Sequence, residues 1–135
     1  MQADVKDQVD VEEVGNALVI TPRFHRLDAA VAPAFRDLLE PRLRERRLVV
    51  FALGNIQVMD SSGLGSLVSM LKLLPAGGVV RLAGVSPALE KLLKLTRLNN
   101  VLPAFPTVAL AVHGFLGHAS QVDRSGAQPQ RAAGR

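Results

Sequence analysis

The chain has 135 residues, 48% of them hydrophobic, so it fits a single domain with a buried core. It contains five Phe but no Trp, Tyr or Cys, which excludes disulfides and thiolate metal sites and argues against a stacking platform for nucleic acid. The net charge is +4, yet Glu45 interrupts the basic segment 42–47, a pattern that favours a solvated helix face over a phosphate-binding patch.

Both ends of the chain differ in composition from its middle. Residues 1–10 are polar and acidic, which argues against a secretory signal, and no apolar run approaches the roughly 18 residues of a membrane span. Residues 118–135 are rich in Gly, Ser, Gln, Ala and Arg and offer too little apolar surface to fold. These observations predict a cytoplasmic protein without membrane insertion, with a flexible N-terminus (1–8), one domain (9–117) and a disordered tail (118–135).

A β-hairpin is predicted at the start of the domain. Valines alternate with acidic residues over Val9–Val14, as in an edge strand, and Gly15-Asn16 is a strong turn signal. The return strand is predicted over Ala17–Thr21, and Pro22 ends it because proline cannot donate a hydrogen bond to a strand ladder.

A helix is predicted to begin after Asp28, which is a good N-cap residue. Apolar residues then recur at helical spacing: Val31, Phe35, Leu38, Leu39 and Leu43. Pro33 suits the first turn of this helix, whereas Pro41 falls inside the pattern and is expected to kink the helix or to end it early.

The rest of the chain alternates strands and helices. The predicted strands and extended segments are Leu48–Leu53, Val79–Ala83 and Val101–Phe105. The predicted helices are one that carries Leu64, Leu67, Val68, Leu71 and Leu74 and ends at Pro75, one that Ser86-Pro87 opens, and one from Thr107 to about Leu116. This order predicts an α/β fold with a mixed four- to five-stranded sheet and helices packed on it.

The segment MDSSGLG, residues 59–65, places two serines at the start of a predicted helix. The first backbone N–H groups of a helix lack partners and its dipole is positive there, so a phosphate on Ser61 or Ser62 would be stabilised. Gly63 and Gly65 remove side-chain bulk and would let another protein approach closely. The alternative is that Asp60 or a serine acts only as an N-cap.

The run VVFALGNIQVMDSSGLGSLVSMLK, preceded by RLDAAVAPAF and followed by VRLAGVSPALEKLLKLTRLNNVLPAFPTVALAV, resembles a STAS domain. Within that family it is most similar to the bacterial anti-sigma-factor antagonists, over about Val11 to Leu116. The resemblance implies the STAS fold and partner switching. The unphosphorylated antagonist binds an anti-sigma factor, itself a serine kinase of the GHKL type, and a sigma factor is released. Phosphorylation ends this binding, and a PP2C-type phosphatase resets the cycle.

The resemblance also implies which residues form the site. Ser61, directly after the aspartate, is the implied phosphate acceptor, and Ser62 is the second choice. The Leu27-Asp28 step matches one that lies near the acceptor in this family. The implied partner-binding residues are Asp28, Asp60, Ser62, Gly63, Leu64 and Gly65. The residues themselves predict no cofactor and no metal ion, since the chain has no Cys and no phosphate-binding glycine loop.

Other functions fit the sequence less well. Catalysis would need a nucleophile, a base and an orienting group, and no histidine is spaced to lie beside the serines, so the chain is predicted not to be an enzyme. Four basic residues are interpreted as solvated helix faces or as docking contacts for an acidic kinase surface: Lys72, Lys91, Lys94 and Arg97. The alternative function is that of an unphosphorylated STAS subunit that docks on the ATPase of a membrane transport system.

Overall fold

The computed structural model describes residues 5–113. In this part of the chain, the strands are β1 Val9–Val14, β2 Ala17–Pro22, β3 Arg26–Leu27, β4 Leu48–Ala52, β5 Val58–Met59, β6 Val79–Ala83 and β7 Ala104–Phe105. The helices are α1 Ala32–Leu43, α2 Ser61–Leu71, α3 Pro87–Leu95 and α4, which is helical over residues 108–113. Short 3-10 turns cover Val5–Gln8 and Leu98–Asn100.

Five strands form one mixed sheet in the order β1-β2-β4-β6-β7. β1 and β2 are antiparallel and joined by a two-residue turn, in which Gly15 has a φ of 61° that a hairpin of this kind requires. β2, β4, β6 and β7 run parallel to one another. The predicted α/β fold with a mixed sheet is therefore confirmed, with five strands in that sheet and a separate parallel pair formed by β3 and β5.

Helices cover both faces of the five-stranded sheet. α1, α2 and α3 pack on one face, where the rings of Phe35 and Phe51 have centroids 6.0 Å apart. On the opposite face, Ala111 and Val112 of α4 pack in a second core with Val50. Because β4 is buried on both faces, its sequence is a continuous apolar run rather than an alternating one.

Helix α1 differs at both ends from its prediction. Asp28 is not its N-cap, because a turn follows Asp28 and the helix begins only at Ala32. The Asp28 carboxylate instead accepts a hydrogen bond from the N–H of Ala30 at 3.1 Å, a local bond that favours a turn over a helix start. Pro41 does not end the helix, which continues two residues beyond it with the proline ring exposed.

Two other predicted boundaries differ from those of the structure. Residues 5–8, predicted as part of a flexible N-terminus, form a 3-10 turn, and Val5 packs against the core. α2 ends at Leu71 rather than near Pro75, because the N–H groups that follow it bond to carbonyls three residues back. The predicted tail at 118–135, the domain limit at 117 and the end of the last helix lie outside the described residues.

Candidate functional site

Two short strands, which the sequence pattern did not predict, bring the serine motif to the start of α1. β3 pairs in parallel with β5, and Leu27 lies opposite Met59. The next residues, Asp28 and Asp60, therefore leave the two strands side by side at the N-terminus of α2. Asp28 is half-buried, and its carboxylate lies 3.3 Å from Nε of Arg26. The structure thus brings together the two aspartates that the resemblance implied.

Asp60 is the N-cap of α2 and connects this helix to the loop between β3 and α1. Its Oδ1 accepts a hydrogen bond from the N–H of Gly63 at 2.9 Å. Its Oδ2 accepts from the N–H of Ala29 at 3.3 Å, in the loop between β3 and α1. The bond from Gly63, with smaller contributions from Ala29 and Ser62, holds the pKa of the Asp60 carboxyl below its ordinary value. The carboxylate therefore acts as a structural hydrogen-bond acceptor that joins α2 to the loop before α1.

We expect the free energy of unfolding to fall less between pH 7 and pH 3 in Asp60→Asn than in the wild type. Asn still caps a helix, but it does not titrate. The folded-state pKa of Asp60 is depressed, so its contribution is complete above about pH 4 and is lost as the pH falls through the folded-state value. Urea unfolding of both proteins at pH 7 and pH 3 measures the effect, and the stability gap between them should narrow at pH 3.

Two other carboxyl groups with lowered pKa values do not disturb this comparison. Hydrogen bonds from Arg46 and Arg44 lower the pKa values of Glu13 and Glu40, respectively, and both groups titrate in either protein. Their effects therefore cancel in the difference between wild type and variant. A stability gap of the same size at both pH values would contradict the role assigned to the Asp60 carboxylate.

Gly63 is required for packing within the chain. It is buried, and a Cβ at this position would lie 2.1 Å from the carbonyl oxygen of Leu27. The space left by the missing side chain of Gly63 is therefore taken by β3, and a part for Gly63 in partner binding stays a prediction. Leu64 is also turned inward, with 6% of its surface exposed, so it belongs to the core rather than to a docking surface. Gly65 is exposed and has open space around it.

Both serines of the motif lie in the first turn of α2 and are exposed. The later serines of the helix are engaged in the fold. Ser66 is buried, and its hydroxyl donates to a backbone carbonyl of α2 at 2.6 Å. Ser69 accepts a hydrogen bond from Nε of Arg36 at 2.8 Å. Ser61 and Ser62 are thus the exposed serines of α2.

A groove of about 570 Å³ lies between α1 and α2 beside the serines. Ser62 and Gly65 line it from α2, and Ala29 and Arg36 line it from the other side. Arg36 was missed by the sequence analysis, because it lies on another helix and no local pattern connects it with the motif. The groove is concave and carries charges of both signs, because Asp37 also lines it and lies 3.9 Å from Arg36.

Two histidines, His25 and His113, lie in the described part of the chain. Nδ1 of His25 is 3.0 Å from the carbonyl oxygen of Asn55, and His113 is exposed in α4. Among residues 5–113, no helix is long and apolar enough to cross a membrane.

The fold agrees with that of a known family. A model of the STAS domain family matches residues 8–111, which is most of the chain, so this protein belongs to the STAS domain family. Among curated proteins, it is similar to the Anti-sigma F factor antagonist of Paenibacillus polymyxa. The two are 28% identical over 101 residues, which cover 73% of this chain and 86% of that protein.

Solved structures share the fold. An anti-sigma factor antagonist from Mycobacterium paratuberculosis is similar with a TM-score of 0.69 at 22% identity, covering 78% of this chain and 90% of that chain. The phosphorylated form of SpoIIAA, a Bacillus cell fate determinant, gives 0.61 at 22% identity, with 78% and 96% covered. A sulfate transporter family protein from Wolinella succinogenes gives 0.63 at 16% identity, with 74% and 84% covered. The fold therefore occurs in regulators and in a transporter family protein.

Proposed function

We propose that this protein is an anti-sigma-factor antagonist controlled by phosphorylation of Ser61. In its unphosphorylated form it binds an anti-sigma factor and a sigma factor is released. The observation that carries the proposal is the exposed Ser61 hydroxyl at the first helical position of α2, held in place by the Asp60 cap. Membership of the STAS family and similarity to a named anti-sigma F factor antagonist support it.

The proposed switch acts through charge at the docking surface. A phosphate adds about −1.5 to −2 charges at neutral pH. A charge left unpaired in a buried interface costs about 2–5 kcal/mol, which corresponds to roughly 30- to several-thousand-fold in affinity. Ser61 is exposed and has no role in the core, so the phosphate can act without a change of fold.

The proposed cycle needs two partner enzymes, one that adds the phosphate and one that removes it. The anti-sigma factor would be a serine kinase of the GHKL type that phosphorylates Ser61 and then dissociates. A PP2C-type phosphatase would remove the phosphate. Exposure of the Ser61 hydroxyl supports both steps, since the acceptor must enter the active sites of two different enzymes.

A second candidate is an unphosphorylated STAS subunit that docks on the ATPase of a membrane transport system. The structural similarity to a sulfate transporter family protein favours it, but that similarity concerns the fold alone. A purely structural docking subunit does not require an exposed serine beside an aspartate cap. The two functions differ in one measurable property, the phosphorylation of Ser61 in cells.

The test is intact-mass spectrometry with peptide mapping of the protein purified from its native cells. We expect a species heavier by one phosphate, with the modification on the peptide that contains Ser61. Tandem fragmentation then assigns the phosphate to Ser61 or to Ser62. If the protein carries no phosphate under any growth condition, the regulated switch is contradicted and the transport-subunit function is favoured.

A further inference from the structure

Helix α3 presents an exposed aliphatic side chain to solvent. Leu95 is 72% exposed, more than any other large hydrophobic residue in the described chain, where the next value is 47% for Leu110. Lys91 and Leu92 precede Leu95 by four and three residues, so these three side chains are neighbours on one side of the helix. A single exposed leucine is ordinary on a protein surface, and its meaning depends on what surrounds it.

Three basic residues lie within four positions of Leu95 along the chain. Lys91, Lys94 and Arg97 are all exposed, and within residues 5–113 none of them lies within ion-pair distance of a carboxylate. By contrast, three arginines on or just after α1 pair with Glu40 or Glu13. The positive charge at the end of α3 is therefore available to an external anion.

Arg97 occupies a position where glycine is favoured. It directly follows the C-cap of α3 and has a left-handed backbone, with φ 63° and ψ 20°. Within the described chain it is the one non-glycine residue with positive φ. Helices commonly end with Gly in this conformation, because a Cβ is disfavoured there. Arginine at this position adds a third cation just after the end of α3. Its backbone is strained there, because the left-handed conformation disfavours a Cβ.

A groove with a mixed lining adjoins this part of α3. It has a volume of about 330 Å³, and its apolar residues Ile56, Met59, Ala88, Leu89 and Leu92 are accompanied by the polar Gln57 and Ser86. Such a volume is at the lower limit of pockets that hold small molecules, roughly 300–1,000 Å³. It suits one or two aliphatic side chains of a bound protein better than a cofactor. Leu92 lines the groove and is also the helical neighbour of Leu95, so the groove and the exposed leucine are continuous.

We infer that the α3 face, formed by Lys91, Leu92, Lys94, Leu95 and Arg97 with the adjoining groove, binds an acidic segment of a partner protein. Carboxylates of that segment would pair with the three cations, and an aliphatic side chain would enter the groove. The exposed leucine argues against a nucleic acid as the occupant, because its phosphates make no use of an aliphatic contact. Binding at this second surface does not depend on phosphorylation of Ser61, so its test is independent of the test of the proposed switch.

The test is a titration of the ¹⁵N-labelled full chain, followed by NMR, with a short synthetic amphipathic helix made of Glu, Ala and Leu. We expect shift changes concentrated in α3 and in the groove residues Ile56 and Met59. Leu95→Ser should weaken binding about tenfold or more, the effect of losing one buried aliphatic contact. Lys72→Ser removes an exposed cation at the end of α2 and should change the affinity less than twofold.

Further experiments distinguish the charge of Arg97 from its backbone strain, and a protein partner from a membrane surface. Arg97→Gly should weaken peptide binding while Tm stays equal or rises, because Gly relieves the left-handed backbone. A peptide with Lys in place of every Glu should not bind. Shift changes outside α3 and the groove, or equal binding by Leu95→Ser, would overturn the inference. If the acidic peptide fails and the protein instead binds phosphatidylglycerol vesicles through Leu95, the partner is a membrane surface and the inference is wrong.

Discussion

Gly63→Ala is expected to destabilise the domain by about 3 kcal/mol or more. The added Cβ would lie 2.1 Å from the carbonyl oxygen of Leu27 and 2.9 Å from Cγ of Met59. The Met59 side chain can turn away, but the Leu27 carbonyl belongs to β3, which is held by its pairing with β5. Either α2 or β3 must therefore move. Urea unfolding followed by far-UV circular dichroism measures the loss of stability.

Gly65→Ala is the matched control for this prediction. Gly65 lies on the same helix, is exposed, and has no atom within 4 Å of a Cβ built there. Since Ala is favoured over Gly in a helix interior, we expect a gain of about 0.5–1 kcal/mol. If both substitutions change the stability by the same amount and sign, helix propensity rather than the contact with Leu27 controls the effect.

The contrast between these two glycines shows a difference that the sequence alone does not predict. Both belong to one motif, and the sequence suggested one role for both, namely room for a partner. Only the packing of α2 against β3 reveals that Gly63 meets Leu27 while Gly65 faces open space. A two-residue strand such as β3 has no periodicity, so nothing in the sequence pattern predicts that approach.

Features with a strong local signal were predicted well. The apolar run of β4 and the turn at Gly15 each have a physical cause within a few residues, and both occur as expected. Asp60 also caps α2, one of the alternatives that the sequence left open. Asp28 illustrates the opposite case. Its residue type suits a cap, but its carboxylate bonds to Ala30 and forms a turn, so residue preference alone gave the wrong helix start.

Ser61→Asp is expected to weaken binding to the anti-sigma factor that co-purifies with the protein by roughly 30-fold or more. The variant places a negative charge where the proposed phosphate would lie, although one carboxylate carries less charge than a phosphate. Isothermal titration calorimetry of wild type, Ser61→Asp and the phosphorylated protein measures the three affinities. We expect the phosphorylated protein to bind most weakly, because it carries the largest charge at the docking surface.

Two controls separate this effect from unfolding and from the choice of acceptor. An acidic residue at the first helical position interacts favourably with the helix dipole, by about 0.3–1 kcal/mol, so Ser61→Asp should keep its Tm. Ser61→Ala should bind like wild type and take up no phosphate, whereas Ser62→Ala should still be phosphorylated. Full phosphate uptake by Ser61→Ala but not by Ser62→Ala would move the acceptor to Ser62. If Ser61→Asp binds the anti-sigma factor as tightly as wild type, negative charge at position 61 does not control docking. The proposed electrostatic switch would then be wrong.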